Sequence, residues 1–467
     1  MLSDALKPYL YSWPPPDFIP SPAWQPTADG RAFVRSMPES AAELAADSRW
    51  PGFFPSPLCC VTVRDGEDVA LEKVVGASIV NRFPYILALS FCRESLSKRH
   101  HVRGIFTGML ERSGAVAVQY LPPGSALDGV MKAILSVPEE ETRRRVAATG
   151  LPTRPALTND APVFTDAYLV YEGRLVQPGK DFDGKPIYEQ PWKDVGSHRI
   201  YFLEINAIQL RQDIATGRSQ IHWRALPAWE PKLPLQNGET MREKSTATVG
   251  YQKGYTPHYA FPSAGTTAFE ADGTHHNMAV KHLPPLPEDQ VEVDNDRARW
   301  PCFFPSSAGL ITTWAADGVP NVMPCGSTTI VSRQPLVIAP CVSYAAINAR
   351  YAPRATLGIL QRTKRFGCSV PFIHDTILDA IRQTGNISIA HDREKVWKAG
   401  LTTEAHSSAP VLSAAPVHFD CRVVDQVRLG THIMFLGEVE SIRIRADVTP
   451  QNPIEWCPWA DVLPVKV

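Results

Sequence analysis

Short runs of β-branched and aliphatic residues, closed off by glycine, proline or Asp-Gly, recur along the chain. Ala308–Thr313, Thr328–Ser332 and Leu336–Pro340 are runs of this kind, and the pattern predicts strands. Asp317-Gly318, set between two such runs, predicts a hairpin turn. Arg354–Thr363 and Thr376–Ile381 are predicted as short helices, and Asp392–Ala399 as a helix stopped by Gly400. His418–Val424 and His432–Ile444 alternate like a closing antiparallel pair. Many short strands with a few small helices predict a mainly β fold built as a barrel.

The pattern occurs twice. Residues 49–56 read Arg-Trp-Pro-Gly-Phe-Phe-Pro-Ser and residues 299–306 read Arg-Trp-Pro-Cys-Phe-Phe-Pro-Ser, so seven of eight positions match at an offset of 250. The correspondence continues: Ile79–Pro84 faces Ile330–Pro335, and Gly108–Ser113 faces Gly358–Thr363. Ala161-Pro162-Val163 faces Ala409-Pro410-Val411. Gly196-Ser197-His198 faces Gly430-Thr431-His432 after an insertion of about 16 residues in the first copy. We therefore expect a tandem duplication, with repeats at 49–225 and 299–467 of an ordinary domain size. The Pro-rich arm 1–48 and the connector 226–298 are expected to lie along domain surfaces with little regular structure, anchored by Trp13, Trp24 and Tyr255. Trp50 and Trp300 are expected to be buried in equivalent places.

Composition narrows the class. Of 467 residues, 47 are Lys or Arg and 48 are Asp or Glu, a formal net charge of −1. That balance offers no footprint for nucleic acid or an acidic membrane face. The 43 prolines suit strands, turns and loops rather than helical bundles. No apolar run reaches the ~18 residues of a membrane span, and the first residues lack a secretory core. Nine scattered cysteines without a C-x-x-C fit reduced thiols, so a cytoplasmic protein is expected. His275-His276 with His282 lacks the spacing of a metal set, and neither G-x-S-x-G nor a strand-following G-x-G-x-x-G is present.

The second copy resembles the flavin reductase-like, FMN-binding split-barrel family. The likeness rests on Leu310-Ile311-Thr312-Thr313-Trp314 with Asp317–Met323, on Pro335–Ala339, and on Arg354-Ala355-Thr356 leading to Phe366–Pro371. It continues through Gly400-Leu401, Ala409–Leu412 and Gly430–Val439. The resemblance implies two FMN-binding split β-barrels forming an intramolecular pseudo-dimer (α+β, mainly β), with FMN, or FAD, in a groove between them. By family position, Ser327, Thr328 and Thr329 would meet the flavin, with an ordinary Thr-rich strand as the alternative. Arg354 and Thr356, at a helix start, would cradle the phosphate, with Ser343 and the tract Arg362, Lys364, Arg365 as lesser candidates. The first copy offers Gly76-Ala77-Ser78, Lys98-Arg99-His100-His101 and Arg103 in these places, a degenerate set. His198 and His432 would lie near the flavin and nicotinamide, or be turn histidines bonded to backbone. Glu204 and Glu438 either face the groove or are exposed strand positions, the latter being the expectation.

The implied activity is NAD(P)H-driven flavin reduction, with nicotinamide stacked directly on the ring. The alternatives are a flavin-dependent oxidase, oxygenase or reductase of a small organic substrate, and a non-catalytic flavin-binding protein. The expected partner is a small molecule, with no nucleic acid and no membrane.

Overall fold

The computed structural model describes residues 24–37, 59–211 and 309–449, the latter two with short gaps, and strand segments at 11–13, 219–220, 266–271, 275–280, 454–456 and 465–466. Setting aside strands of two or three residues, the chain begins with β1 (Ala32–Ser36). The first half holds β2 (Cys59–Asp65), β3 (Asp68–Val74), β4 (Ala77–Asn81), β5 (Ile86–Cys92), helix α1 (Gly104–Ser113) and β6 (Ala115–Tyr120). Helices α2 (Ser125–Ser136) and α3 (Thr142–Ala148) follow, then β7 (Leu169–Leu175), β8 (Trp192–Val195) and β9 (His198–Arg211). A hairpin, β10 (Thr266–Ala271) and β11 (His275–Val280), leads on. The second half holds β12 (Gly309–Trp314), β13 (Pro320–Cys325), β14 (Thr328–Arg333) and β15 (Leu336–Ser343). It continues with α4 (Ala355–Thr363), β16 (Arg365–Val370), α5 (Lys395–Lys398), β17 (Val417–Arg428) and β18 (His432–Arg445).

Two antiparallel sheets result. The first runs β10-β11-β9-β7-β6-β2-β3, with β8 paired to β9 and with β4 reaching β9 through β5. The second runs Gln25–Pro26, then β1-β18-β17-β16-β12-β13, with β14 reaching β18 through β15. The pairings correspond, edge hairpins included, except that β7 and β8 together stand where the second sheet has the single strand β17. The helix stops also agree: Gly114 (φ 66°) and Lys364 (φ 55°) both take the left-handed conformation after α1 and α4. Each donates its N–H to a leucine carbonyl four residues back, Leu110 and Leu360.

Burial on both faces explains the unbroken apolar runs. Along β5, Leu87 and Leu89 enter the core of the first sheet, whereas Ile86 and Ala88 enter a second cluster. Along β18, Ile433 and Phe435 enter the core of the second sheet, and Met434 and Leu436 join that same second cluster. This shared cluster takes Val80, Ile200 and Phe202 from the first half and Val331, Val337 and Cys341 from the second. Period-2 alternation here sorts side chains between two apolar layers rather than between core and water.

The arm and the connector differ from expectation. Within the arm, β1 pairs with the end of β18, Ser36 opposite Ser441 and Ala32 opposite Arg445. Trp24 joins the core of the second half. Within the connector, β11 pairs with the end of β9, Ala279 opposite Ala207 and His275 opposite Arg211. Both segments carry regular structure because each sheet ends in a 14-residue strand, whose far half needs a partner for its backbone groups. The two tryptophan motifs, Tyr255 and His282 lie outside the described residues, as does most of the predicted helix at 376–381. No helix among the described residues is long and apolar enough to cross a membrane.

Candidate functional site

Arg354 is the N-cap of α4, with extended backbone (φ −81°, ψ 135°) and no side-chain cap bond. The first turn of this helix holds no acidic residue. Its positive end is therefore uncompensated from within. The Arg354 N–H donates to Ser343 O at 3.2 Å, which fixes the helix start against the end of β15. Arg354 is partly buried, and that burial holds its pKa below the usual arginine value, the nearby Cys325 thiol acting the other way. Among the described residues no carboxylate pairs with it. The Ser343 hydroxyl is also buried, and its Oγ has no hydrogen-bond partner. A partly buried cation and an orphaned hydroxyl at a helix N-terminus make a cradle that an anion completes.

A polar trio lies behind it. Asn321 Nδ2 donates to Thr313 Oγ1 at 3.1 Å and to Thr356 Oγ1 at 3.0 Å, while Asn321 Oδ1 has no partner. Thr356 is buried and fixed by this bond two residues into the helix region. Lys395, on α5, is a second buried cation. It donates to the carbonyls of Val322 (2.8 Å), Thr384 (3.1 Å) and Ile387 (3.1 Å). Burial, and then the positive charge of Arg354, lower its pKa to about 7.

The other predicted residues fall into place unevenly. Thr328 and Thr329 are buried, and the Thr328 hydroxyl donates to Cys325 O at 2.8 Å, so it serves its own turn. Ser327 is partly buried and its carbonyl accepts the Cys341 N–H. His432 pairs with Ser343 across β18 and β15, which sets it beside the cradle. His198 pairs with Cys92 in the equivalent place of the first half. The basic tract does not join the site. Arg365 is ion-paired with Glu440, and Lys364 stops the far end of α4, about 15 Å along the helix from Arg354. Glu438 is paired with Arg422, while Glu204 is half-buried rather than exposed, with its pKa raised by desolvation. Arg103 and the 98–101 tract lie outside the described residues.

Several site residues carried no sequence motif. Asn321, Lys395, Tyr344, Asn81 and Asp181 were not singled out. The offset of 250 offered one usable signal, since it sets Lys395 against Arg145. Arg145 is buried and bonded to Glu72, Leu71 O and Val137 O. The strand pairing sets Leu71 against Val322, and Met323 then takes the place of Glu72. The second half thus keeps the buried cation and lacks its carboxylate.

The family comparison bears on the second half. Residues 302–458 match the model of the flavin reductase like domain. Among solved structures, the chain is similar to an FMN-binding protein from Thermus thermophilus, at 16% identity and TM-score 0.28, over 35% of this chain and 89% of that one. It is similar to the flavoredoxin of Desulfovibrio vulgaris at 22% identity and TM-score 0.26, over 30% and 70% of the two chains. A flavoredoxin from Methanosarcina acetivorans shows 16% identity and TM-score 0.27, over 31% and 72%. No curated protein matches the chain.

Proposed function

We propose, with a flavin reductase like domain at residues 302–458 as the premise, that the chain is a flavin-dependent oxidoreductase whose flavin phosphate is held by the second half. The observation that carries the reading is Arg354 at the start of α4, which has no carboxylate partner among the described residues and whose N–H holds Ser343 O, together with the orphaned Ser343 hydroxyl. The donor set fits FMN: a cation, a hydroxyl and the helix N-terminus for the phosphate, with the polar trio of Thr313, Asn321 and Thr356 behind them. A bound flavin would supply the hydride chemistry. Arg354 and Ser343 bind and orient, and His432 lies at the edge of the cradle, where it can exchange a hydrogen bond or a proton with the ligand. NAD(P)H is the proposed hydride donor.

In this reading the two sheets act as an intramolecular pseudo-dimer of split barrels, the shared apolar cluster being the inter-barrel seam. The first half contributes wall rather than phosphate donors. A second reading, reduction or oxygenation of a dedicated small organic substrate, is favoured by the first-half insertion at 176–191. Asp181 in that segment bonds Arg428 and Tyr344, the residue next to Ser343.

Flavin-band absorbance of the purified chain tests binding, and anaerobic bleaching by NADH or NADPH tests turnover. Bound flavin that bleaches and passes electrons to free flavin is the expected result. Bound flavin that no nicotinamide bleaches would favour the dedicated-substrate reading. No flavin binding by the folded chain would overturn the proposal.

A further inference from the structure

The turn that leads into β18 is held by the other half of the molecule. Asn81, at the end of β4, accepts three hydrogen bonds at its Oδ1: from Thr431 N–H (2.7 Å), Thr431 Oγ1 (2.8 Å) and His432 N–H (3.1 Å). Two of these donors are backbone N–H groups, which can only donate. They fix which end of the Asn81 amide is oxygen, and Nδ2 correspondingly donates to Pro84 O at 2.7 Å.

The proton positions follow. An amide oxygen cannot donate, so at 2.8 Å the Thr431 hydroxyl must direct its single proton at Asn81 Oδ1. Thr431 Oγ1 also lies 2.7 Å from His432 Nδ1. With its proton committed, that oxygen can only accept there, so His432 Nδ1 carries the proton. The neutral imidazole is left with Nε2 as its acceptor nitrogen.

The same turn is braced from its other side. The Tyr344 hydroxyl lies 2.6 Å from Gly430 O, 2.9 Å from Leu429 O and 2.8 Å from Asp181 Oδ2. Arg428 stacks 4.0 Å over the Tyr344 ring and bonds Asp181 and Asp183. Asp181 Oδ1 meanwhile accepts the N–H groups of Asp183 and Lys185, each at 2.9 Å. The equivalent turn of the first half lacks this arrangement. Ser197 Oγ there accepts the Gln334 N–H at 3.1 Å, which leaves its own proton uncommitted next to His198 Nδ1.

We propose that Asn81, a first-half residue, is a positioning residue for His432: through the Thr431 hydroxyl it sets the Nδ1-protonated tautomer and turns Nε2 into a hydrogen-bond and proton acceptor for the ligand of the second-half cradle. The ligand part of this statement rests on the proposed flavin function, and the tautomer part does not. The second-half site is incomplete without the first half, because the group that fixes its histidine lies there.

Nitrogen NMR of the histidine-labelled full chain, at a pH where the imidazoles are neutral, reads the tautomer directly. His432→Gln assigns the signal. The parent and Asn81→Asp, which keeps an acceptor-only oxygen, should both show protonated Nδ1 and unprotonated Nε2. Asn81→Leu should lose that signature and move to the mixed or Nε2-protonated state. Thr431→Ala, which removes only a hydroxyl, should do the same if Asn81→Leu does not fold. Protonated Nε2 in the parent, or an unchanged signature in Thr431→Ala, would overturn the tautomer assignment whether or not the chain binds flavin. A parent with the expected tautomer and no flavin binding would overturn the functional reading and the ligand role of Nε2 together.

Discussion

Five positions differ between the two halves around the start of the helix that follows the fourth strand of each. The second half has Thr313, Asn321 and Thr356, joined by two hydrogen bonds with one amide oxygen left over. The strand pairing and the helix stops set Val63, Ala70 and Phe106 in the same places of the first half, and all three belong to its apolar core. Gly104 stands where Arg354 does, and Cys92 where Ser343 does. One backbone arrangement thus carries a polar cradle in one half and a filled core in the other. Phe106 packs 5.2 Å from the Phe91 ring, and Phe91 stands edge-on to Tyr201. In the proposed function the first half has exchanged a binding role for stability and now serves as the wall of its neighbour's site.

The largest expected effect comes from undoing the filled side. Phe106→Ala should lower stability by about 3–5 kcal/mol, since it removes a fully buried ring from a close-packed core. Thr356→Ala should cost far less stability and act mainly on ligand affinity. Paired denaturant titrations of the two variants check this, and equal losses would erase the contrast between the halves.

The seam should be next in sensitivity. Gly196 has φ 52°, and a Cβ there would meet Gln334 O and Ser332 Oγ of the second half. Gly196→Ala should destabilise the whole chain by about 1–3 kcal/mol through strain and forced separation. A melting temperature equal to the parent's would show that the halves do not bear on each other there.

Arg354→Met sharpens the comparison because its two effects have opposite signs. Losing the charge-assisted bond should weaken FMN binding by about 1.5–3 kcal/mol, roughly ten- to a hundredfold, while riboflavin, which has no phosphate, is unaffected. The ligand-free chain should meanwhile be as stable as the parent or more so, because a partly buried cation with no carboxylate partner among the described residues is gone. Calorimetry with both ligands and a thermal melt without ligand read the two effects separately.

The smallest effect is in pH. Lys395 titrates near 7 in the free chain, where burial and Arg354 disfavour its charge. An anion at the cradle favours the charged form and raises that value. Between about pH 7 and the raised value the complex holds more protons than the free chain, so FMN affinity should fall as pH rises through this window, by roughly tenfold or less. Below about pH 7 Lys395 is charged in both states and adds no slope. Affinities measured across the window should show the fall in the parent and not in Lys395→Met.

Much of the fold was legible because a strand with two buried faces leaves a continuous apolar run, as at Leu336–Pro340, and because Gly400 marks where a helix stops. Arg354 and Thr356 were legible because a cation and a hydroxyl opening a helix form a local pattern. Asn321 was not, since a lone polar residue in a strand carries no sign of which layer it faces until its partners Thr313 and Thr356 are in view. Asn81 and Asp181 were hidden for a related reason: their partners lie across the seam, Asn81 bonding a turn 350 residues away. The strands in the arm and connector were missed because their pairing energy resides in the far ends of β18 and β9, not in their own composition.

The central claim is that the second half alone carries the phosphate site. Titrating the full-length chain with FMN, counting flavin bound per chain, tests it most directly. The account predicts one FMN per parent chain and a ten- to a hundredfold weaker site in Arg354→Met. Two FMN per chain, or a single FMN bound equally well by Arg354→Met, would contradict it.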